Sequence, residues 1–416
     1  MMTRYDESLR VLKLSLENGI EAALEAFFRL MHYFGDPQDN YPSVQIAGTN
    51  GKTSTSRYTA AILKAAGFKT GLYTSPELMF YPERLELEGA VVSDDLFADI
   101  ILETWDGIQS AIKAGVIDFI TEFEVLTAAA FRLFDQQKVD WAVLEVGLGG
   151  LWDATSVVNP KVAVITGIDL DHTHILGNTV EEIAVQKAAI IKSGSFAVLG
   201  PGTADTRQVF LDRCAEVGAD YHIIEPPFMD FRYIGPGYQK MNIATAWVAA
   251  EHALGEAISP VTVQKALNNL VVPGRFEILR DEPLLMIDAA HNPQASQFLA
   301  DALRERFTFS PDEQGVLRIN EIDTLLLGIL SDKDTRGIID TLTPMFRHVA
   351  VTQSASPRAI APADLAQMVE KYDGRKPQVF ASIEEGLADI NARNSTAIVT
   401  GSITMAGEAK AVFLGK

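Results

Sequence analysis

Apolar residues recur at helical spacing over 5–15 and 19–34, and Gly35-Asp36-Pro37 stops the second run. From there the rhythm changes. Short, largely apolar runs at 44–47, 69–73, 141–146, 162–166 and 196–199 read as buried parallel strands. Between them the 3.6-residue period returns over 53–66, 94–114, 122–137 and 180–191, which predicts helices. Strand–helix alternation of this kind predicts a doubly wound, mostly parallel α/β domain.

Residues 226–239, rich in proline, glycine and aromatics, read as a loop with at most a small edge element, followed by helices over 241–254 and 261–270. Pro273-Gly274 breaks the pattern, and a second alternation starts after Arg280-Asp281-Glu282-Pro283. Its strands are expected at 284–288, 323–329, 348–352 and 397–400. The boundary is set between 277 and 278. It gives an N-terminal domain over 1–277 and a smaller α/β, Rossmann-like domain over 278–416, with a ligand crevice expected between the two lobes.

Composition narrows the class. A chain of 416 residues with 47% hydrophobic and 22% charged residues has enough apolar surface for two cores. No apolar run reaches the ~18 residues of a membrane span, and the N-terminus lacks a secretory pattern, so a cytoplasmic protein is expected. A single cysteine, Cys214, excludes an internal disulfide and a cysteine-based zinc site. The net charge of −20 argues against nucleic acid as partner, but not against a nucleotide held by a few local cations.

Chemistry concentrates after the first buried strand, in Gly48-Thr49-Asn50-Gly51-Lys52-Thr53-Ser54. Glycines, a lysine and hydroxyls at a helix start bring backbone N–H groups and a cation to one point, which suits a polyphosphate. Lys52 is expected on the β- and γ-phosphates and Thr53 on magnesium; the bland alternative is a turn that merely uses glycine. The Gly-x-x-Gly-Lys-Thr spacing is two residues tighter than the general P-loop.

A second strand delivers Glu145 at its C-terminal end, before Gly147-Leu148-Gly149-Gly150, where magnesium would find a carboxylate. A plain solvent-facing glutamate is the alternative. Asp171 and His172 follow a third strand and fit a second magnesium, whereas His174 has no such support. On its own, Lys187 in the amphipathic stretch 181–192 reads as a surface charge, and Asp332-Lys333-Asp334 reads as a solvated loop.

Taken together, the motifs resemble the folylpolyglutamate synthase/dihydrofolate synthase family of the Mur ligase superfamily. They run from about residue 44 to about 408 and include Thr74-Ser75-Pro76, Glu83-Arg84, Phe123-Glu124, Asp153-Ala154-Thr155, Asp171-His172-Thr173, Pro273-Gly274-Arg275-Phe276-Glu277, His291-Asn292-Pro293 and Gly401-Ser402. The resemblance implies an ATP-dependent ligase that adds L-glutamate to a folate or dihydropteroate carboxylate through an acyl phosphate. It implies Thr53, Ser75, Glu145 and His172 as ligands for two magnesium ions, and Lys187 as a lysine carbamylated by CO2 (N6-carboxylysine), against its surface reading. Asn50, Gly51, Lys52, Thr53, Ser54, Asn242, Arg275 and Asp288 are implied as nucleotide contacts. Thr121, Glu122, Phe123, Glu124, Trp152, Asp153 and Ala154 are implied beside the acceptor. His291 and Ser402 are implied near the acyl phosphate and the incoming glutamate, with Lys52, Lys187, His291 and Asp288 as the catalytic set. A monomer without membrane or nucleic-acid partners goes with this.

The wording departs from the family's at several positions. Arg-Leu-Asp-Ala-Thr-Asn is here Leu151-Trp152-Asp153-Ala154-Thr155-Ser156, and Ser-Pro-His-Leu is Ser75-Pro76-Glu77-Leu78. Tyr238-Gln239 replaces His-Gln, Ala289 replaces a glycine, and Gln186 and Ala189 replace Glu and Gly around Lys187. The phosphate and metal set is complete, so the acceptor is the open question. Three alternatives remain: the same ligase chemistry on a non-folate carboxylic acid, a Mur-type ligase acting on a nucleotide-linked sugar peptide, and a nucleotide-binding protein without turnover. The short stretch before residue 44 disfavours the sugar-peptide ligase, which usually carries an extra N-terminal domain.

Overall fold

Buried apolar runs build two separate sheets. The computed structural model describes residues 3–16, 24–226, 231–233, 235–268 and 270–416. Part of the helix expected over 19–34 lies outside the described residues, as do 227–230 and 234 of the expected loop and residue 269 of the expected helix 261–270.

The first sheet contains β1 (Ser43–Ala47), β2 (Thr70–Tyr73), β3 (Leu85–Leu87), β4 (Ala90–Val91), β5 (Trp141–Glu145), β6 (Val162–Gly167), β7 (Phe196–Gly202) and β8 (Asp220–Ile223). Its order is β4-β3-β2-β5-β1-β6-β7-β8, parallel except for β3 and β4 at one edge. The chain leaves β1 toward β2 on one side and later returns to place β6 on the other, so the strand order switches at β1. Ligands of open α/β sheets bind outside such a point, at the carboxyl ends of the strands. Helices cover both faces: Phe131 and Phe134 of Glu122–Gln137 are fully buried in one core, and Ile183 and Ala184 of Val180–Ala188 in another.

The second sheet contains β9 (Glu277–Arg280), β10 (Leu285–Ile287), β13 (Thr324–Leu327), β14 (His348–Val351), β15 (Gln378–Val379) and β16 (Ala397–Thr400), in the order β15-β14-β13-β16-β10-β9. Only β9 runs antiparallel. A separate hairpin pairs β11 (Phe309–Pro311) with β12 (Leu317–Ile319). Its core gathers Leu299 and Leu303 with Leu325, Ile338 and Phe346.

The α/β class with a doubly wound first sheet matches the expectation from alternation. Contacts divide the chain into a unit of 1–233 and 240–270 and a unit of 234–239 and 271–416, a few residues ahead of 277/278. Three sequence expectations need correction. The helix expected from 241 starts at Gly237, inside the stretch read as a loop. The helix expected to 191 ends at Ala188. A helix at Arg207–Val217 was not anticipated, because only Phe210 and Cys214 are buried on it and no apolar stripe stands out. The unanticipated strands are short, and β4, β8 and β15 are mostly exposed, so they lack the buried run that marks β1 or β5. Among the described residues no helix is long and apolar enough to cross a membrane.

Candidate active site

The parallel register brings four strand ends together. Ile46 pairs with Glu145, Tyr73 with Leu144, and Ala47 with Ile165, so the segments that follow β1, β2, β5 and β6 emerge side by side. After β1 the chain turns at Gly51, which has φ +86° and caps the helix Lys52–Ala65. A methyl group at Gly51 would lie 2.7 Å from Asn242 Oδ1, so Asn242 borders the loop and only glycine fits there. Thr166 at the end of β6 pins the loop by donating from Oγ1 to the Asn50 carbonyl at 2.6 Å. Thr49 is tied to Asp169 by two bonds of 3.0 and 3.1 Å. From sequence, Thr49 stands out only as part of the glycine-rich loop and Thr166 not at all; their role depends on strand neighbours that periodicity does not reveal.

Lys52 curls over the loop, its Nζ donating to Gly48 O at 3.0 Å and Thr49 O at 3.1 Å. Thr53 Oγ1 donates to Glu145 Oε1 at 2.8 Å, and Ser75 N donates to Glu145 Oε2 at 3.4 Å. Glu145 is buried, so the reading of a solvent-facing glutamate is excluded. The buried Ser75 Oγ has no hydrogen-bond partner, an orphaned oxygen beside a buried carboxylate. Such a hydroxyl normally costs ~1–3 kcal/mol unless something satisfies it. Thr53, Ser75 and Glu145 therefore offer hard oxygen donors that fit magnesium, which takes few protein ligands and keeps water. Among the described residues no three His, Cys, Asp or Glu side chains form a denser metal cage.

After β6, His172 adopts a left-handed backbone with φ 50°, and its N–H donates to Asp171 Oδ1 at 2.9 Å. Lys187 sits on the inner face of its helix at 4% exposure, which overturns its reading as a surface charge. Gly150 packs on it: a methyl there would lie 3.2 Å from Lys187 Cα. Burial first, and then the Lys52 ammonium, hold the Lys187 amine down to about 7, opposed by Asp171 and Asp153. Thr53, Ser75 and Glu145 thus meet at the start of the helix after the loop, and Lys187 lies within electrostatic reach of Lys52 and Asp171.

The residues implied beside the acceptor have mixed placements. Thr121 and Glu124 form a reciprocal capping box at the start of Glu122–Gln137, so both side chains hold the helix end. Glu122 lies 3.5 Å from Arg84, a buried guanidinium that also pairs with Glu77 and stacks over Tyr81 at 5.3 Å. Phe123 packs on Tyr73 with ring centroids 6.1 Å apart. Asp153 is buried, accepting from Leu148 N and Thr155 N, and burial pushes its carboxyl upward. Ala154 is buried as well, whereas Trp152 stands 57% exposed.

The second unit collects its implied residues at carboxyl ends of β10 and β16. Asp288 is buried, accepts from Phe276 N at 2.7 Å and Ala290 N at 2.8 Å, and is pushed up by burial against the opposing pull of Arg275. Arg275 Nη1 donates to Gly274 O at 3.0 Å. His291 Nδ1 lies 2.9 Å from the Ala289 carbonyl. Ser402 caps Ile403–Phe413, accepting from Met405 N at 3.1 Å. In the Asp332-Lys333-Asp334 cluster Asp332 and Asp334 are exposed, with Asp334 capping Thr335–Leu342, but the Lys333 side chain is 7% exposed, so the reading as a solvated loop fails for Lys333.

Known proteins share this architecture. Residues 46–200 match the Mur ligase middle domain, and residues 274–403 match the Mur ligase glutamate ligase domain. The dihydrofolate synthase/folylpolyglutamate synthase of Mycobacterium tuberculosis is 31% identical, the match covering 95% of this chain and 91% of that one. The M. tuberculosis folylpolyglutamate synthase complexed with ADP superposes with TM-score 0.88 at 31% identity, over 99% of this chain and 98% of that one. An FPGS–AMPPCP–folate complex superposes with TM-score 0.84 at 27% identity, over 99% and 100%. Full-length similarity on this scale, over both Mur ligase domains, means that the chain belongs to the dihydrofolate synthase/folylpolyglutamate synthase family.

Proposed function

We infer that this protein is an ATP-dependent ligase that joins L-glutamate to the carboxylate of a folate or dihydropteroate. The observation that carries the reading is the junction of Lys52, Thr53, Glu145 and the orphaned Ser75 hydroxyl at the switch point of the first sheet. Binding ATP alone needs the loop; the buried carboxylate beside it is what phosphoryl transfer adds.

The acceptor carboxylate and the γ-phosphate are both anionic, and their approach is the barrier to overcome. Lys52 leaves the Gly48 and Thr49 carbonyls for the phosphates and neutralises charge as the acyl phosphate and ADP form. The glutamate amine then attacks the acyl carbon, phosphate leaves with the bonding pair of the C–O bond, and the proton lost by the amine ends on the released phosphate. Thr53, Ser75 and Glu145 would hold one magnesium ion, and His172 with a carbamylated Lys187 a second. Bound there, magnesium supplies Lewis-acid stabilisation of charge on the transferring phosphoryl group. Glu145 accepts from Thr53 and so keeps that hydroxyl's lone pairs turned outward. Asn242 is assigned to the nucleotide from its position against Gly51. In the second unit, Arg275 and Asp288 are assigned to the nucleotide, and His291 and Ser402 to the acyl phosphate and glutamate.

Incubating the protein with ATP, L-glutamate and either dihydropteroate or a reduced folate tests this. Mass spectrometry is expected to find products heavier by one glutamate residue, and ADP in equal amount. Glu145→Ala and Lys52→Ala are each expected to fold and to lose turnover by about a hundredfold or more. Near-normal turnover in either variant, or no product with any pteroate, overturns the reading.

A further inference from the structure

The amino ends of the second sheet carry an unassigned cavity, at the edge opposite Asp288 and Ser402. It encloses about 210 Å³ beneath the first residues of β13, β14 and β15, which are Thr324, His348 and Gln378. Arg347, Arg375, Lys376 and Arg393 line it. In a chain of net charge −20, three arginines and a lysine around one small cavity are not a product of composition.

Their bonding differs in a useful way. Arg375 is fixed, with Nη1 donating to Phe346 O at 2.7 Å, Nη2 to Thr343 O at 2.6 Å, and Nε to Asp373 Oδ2 at 2.6 Å. It contributes charge and a rigid wall. Arg347 is held only loosely, 3.5 Å from both Asp323 Oδ1 and Asn320 Oδ1. Arg393 pairs with Asp389 at the end of helix Ile383–Ala392, and Lys376 is exposed. Three carboxylates, Asp323, Asp373 and Asp389, therefore face four cations, and Asp373 lies behind Arg375 with its side chain 5% exposed. The surplus is positive, and the donors of Arg347 and Lys376 are available to a guest.

We propose that this cavity is a second anion site, separate from the nucleotide loop, that takes a small phosphate-class oxyanion such as orthophosphate or pyrophosphate. The arginine fork matches paired oxygens of a tetrahedral anion and holds them with charge-assisted bonds. The volume is below the ~300 Å³ at which pockets begin to hold drug-sized ligands, so a small ion suits it and a whole nucleotide does not. The assignment does not depend on the ligase reading. If that reading also holds, orthophosphate is a product of the reaction, and the site would sense its accumulation.

Thermal unfolding and calorimetric titration of the full-length protein test the proposal, with saturating AMPPCP and magnesium occupying the nucleotide loop. Sodium phosphate or pyrophosphate is expected to raise the melting temperature above that in sodium chloride of equal ionic strength. The double variant Arg347→Gln/Arg393→Gln is expected to weaken phosphate binding by about tenfold or more, the loss of a charge-assisted bond, while its response to AMPPCP stays unchanged. Lys376→Gln, at an exposed position, is a second variant expected to weaken binding without risk to folding. Three results would overturn the site: no effect of phosphate beyond chloride, an undiminished effect in both variants, or an equal effect of citrate.

Discussion

Lys187 shows how far one residue's meaning depends on what surrounds it. Its spacing on an amphipathic helix places it with surface lysines, yet the structure buries it against Gly150, near Lys52, Asp171 and Asp153. An ammonium group there loses hydration and meets a second cation, so the neutral amine is favoured and the group titrates at about 7. A neutral amine is the form that adds CO2, so the proposed carbamate follows from the same burial. The sign of the linkage is definite. Between about 7 and the ordinary 10.5 the unfolded chain binds a proton that the folded chain does not, so Lys187 costs stability there, and the cost shrinks as pH rises. Below about 7 both states are protonated and the penalty is constant. Turnover is therefore expected to fall as pH drops below about 7, and to fall at pH 8 when dissolved CO2 is stripped from the assay. Lys187→Met should remove the rise of stability between pH 7 and 10 and abolish the CO2 effect. Turnover indifferent to CO2 would exclude the carbamate.

Among the elements, the helix Glu122–Gln137 separates structural from chemical roles most clearly. Thr121 and Glu124 were grouped with acceptor contacts, yet their side chains satisfy one another and the first-turn N–H groups. The Thr-Glu-Phe-Glu sequence already contains the capping signature, Thr followed three residues later by Glu, so this role was legible beside the other. Arg84 was less legible. Its partner Glu77 lies in the same stretch of chain, but Glu122 belongs to another segment, and only folding brings both carboxylates to one guanidinium. Thr121→Ala is expected to destabilise the protein by ~1 kcal/mol, the usual worth of an N-cap, while kcat and the KM for folate change by less than about twofold. Chemical denaturation and steady-state kinetics decide between the roles. A large rise in KM with unchanged stability would return Thr121 to the acceptor site.

For the whole molecule, what could be read from sequence follows burial. Strands β1, β2, β5, β6 and β7 are buried through most of their length, leave short, mostly apolar runs, and form where those runs lie. The edges β4, β8 and β15 are solvated and leave no such trace. The same logic explains the site: Glu145 ends a buried strand and Lys52 opens the helix that follows one, so both announce themselves, whereas Thr166 reaches Asn50 and Arg84 reaches Glu122 across long stretches of sequence. A nucleotide that binds only the assembled strand ends must stabilise the fold that assembles them. AMPPCP with magnesium should raise stability by RT ln(1 + [L]/Kd), about 2.7 kcal/mol at a hundredfold excess over Kd, so the melting temperature climbs with the logarithm of ligand concentration. Lys52→Ala should flatten that climb, because its Nζ is the cation nearest the loop carbonyls Gly48 and Thr49. Sodium chloride at matched ionic strength controls for screening of the −20 charge, which by itself raises stability at every ligand concentration alike. A melting temperature that follows ionic strength and ignores AMPPCP would mean that the loop after β1 holds no triphosphate.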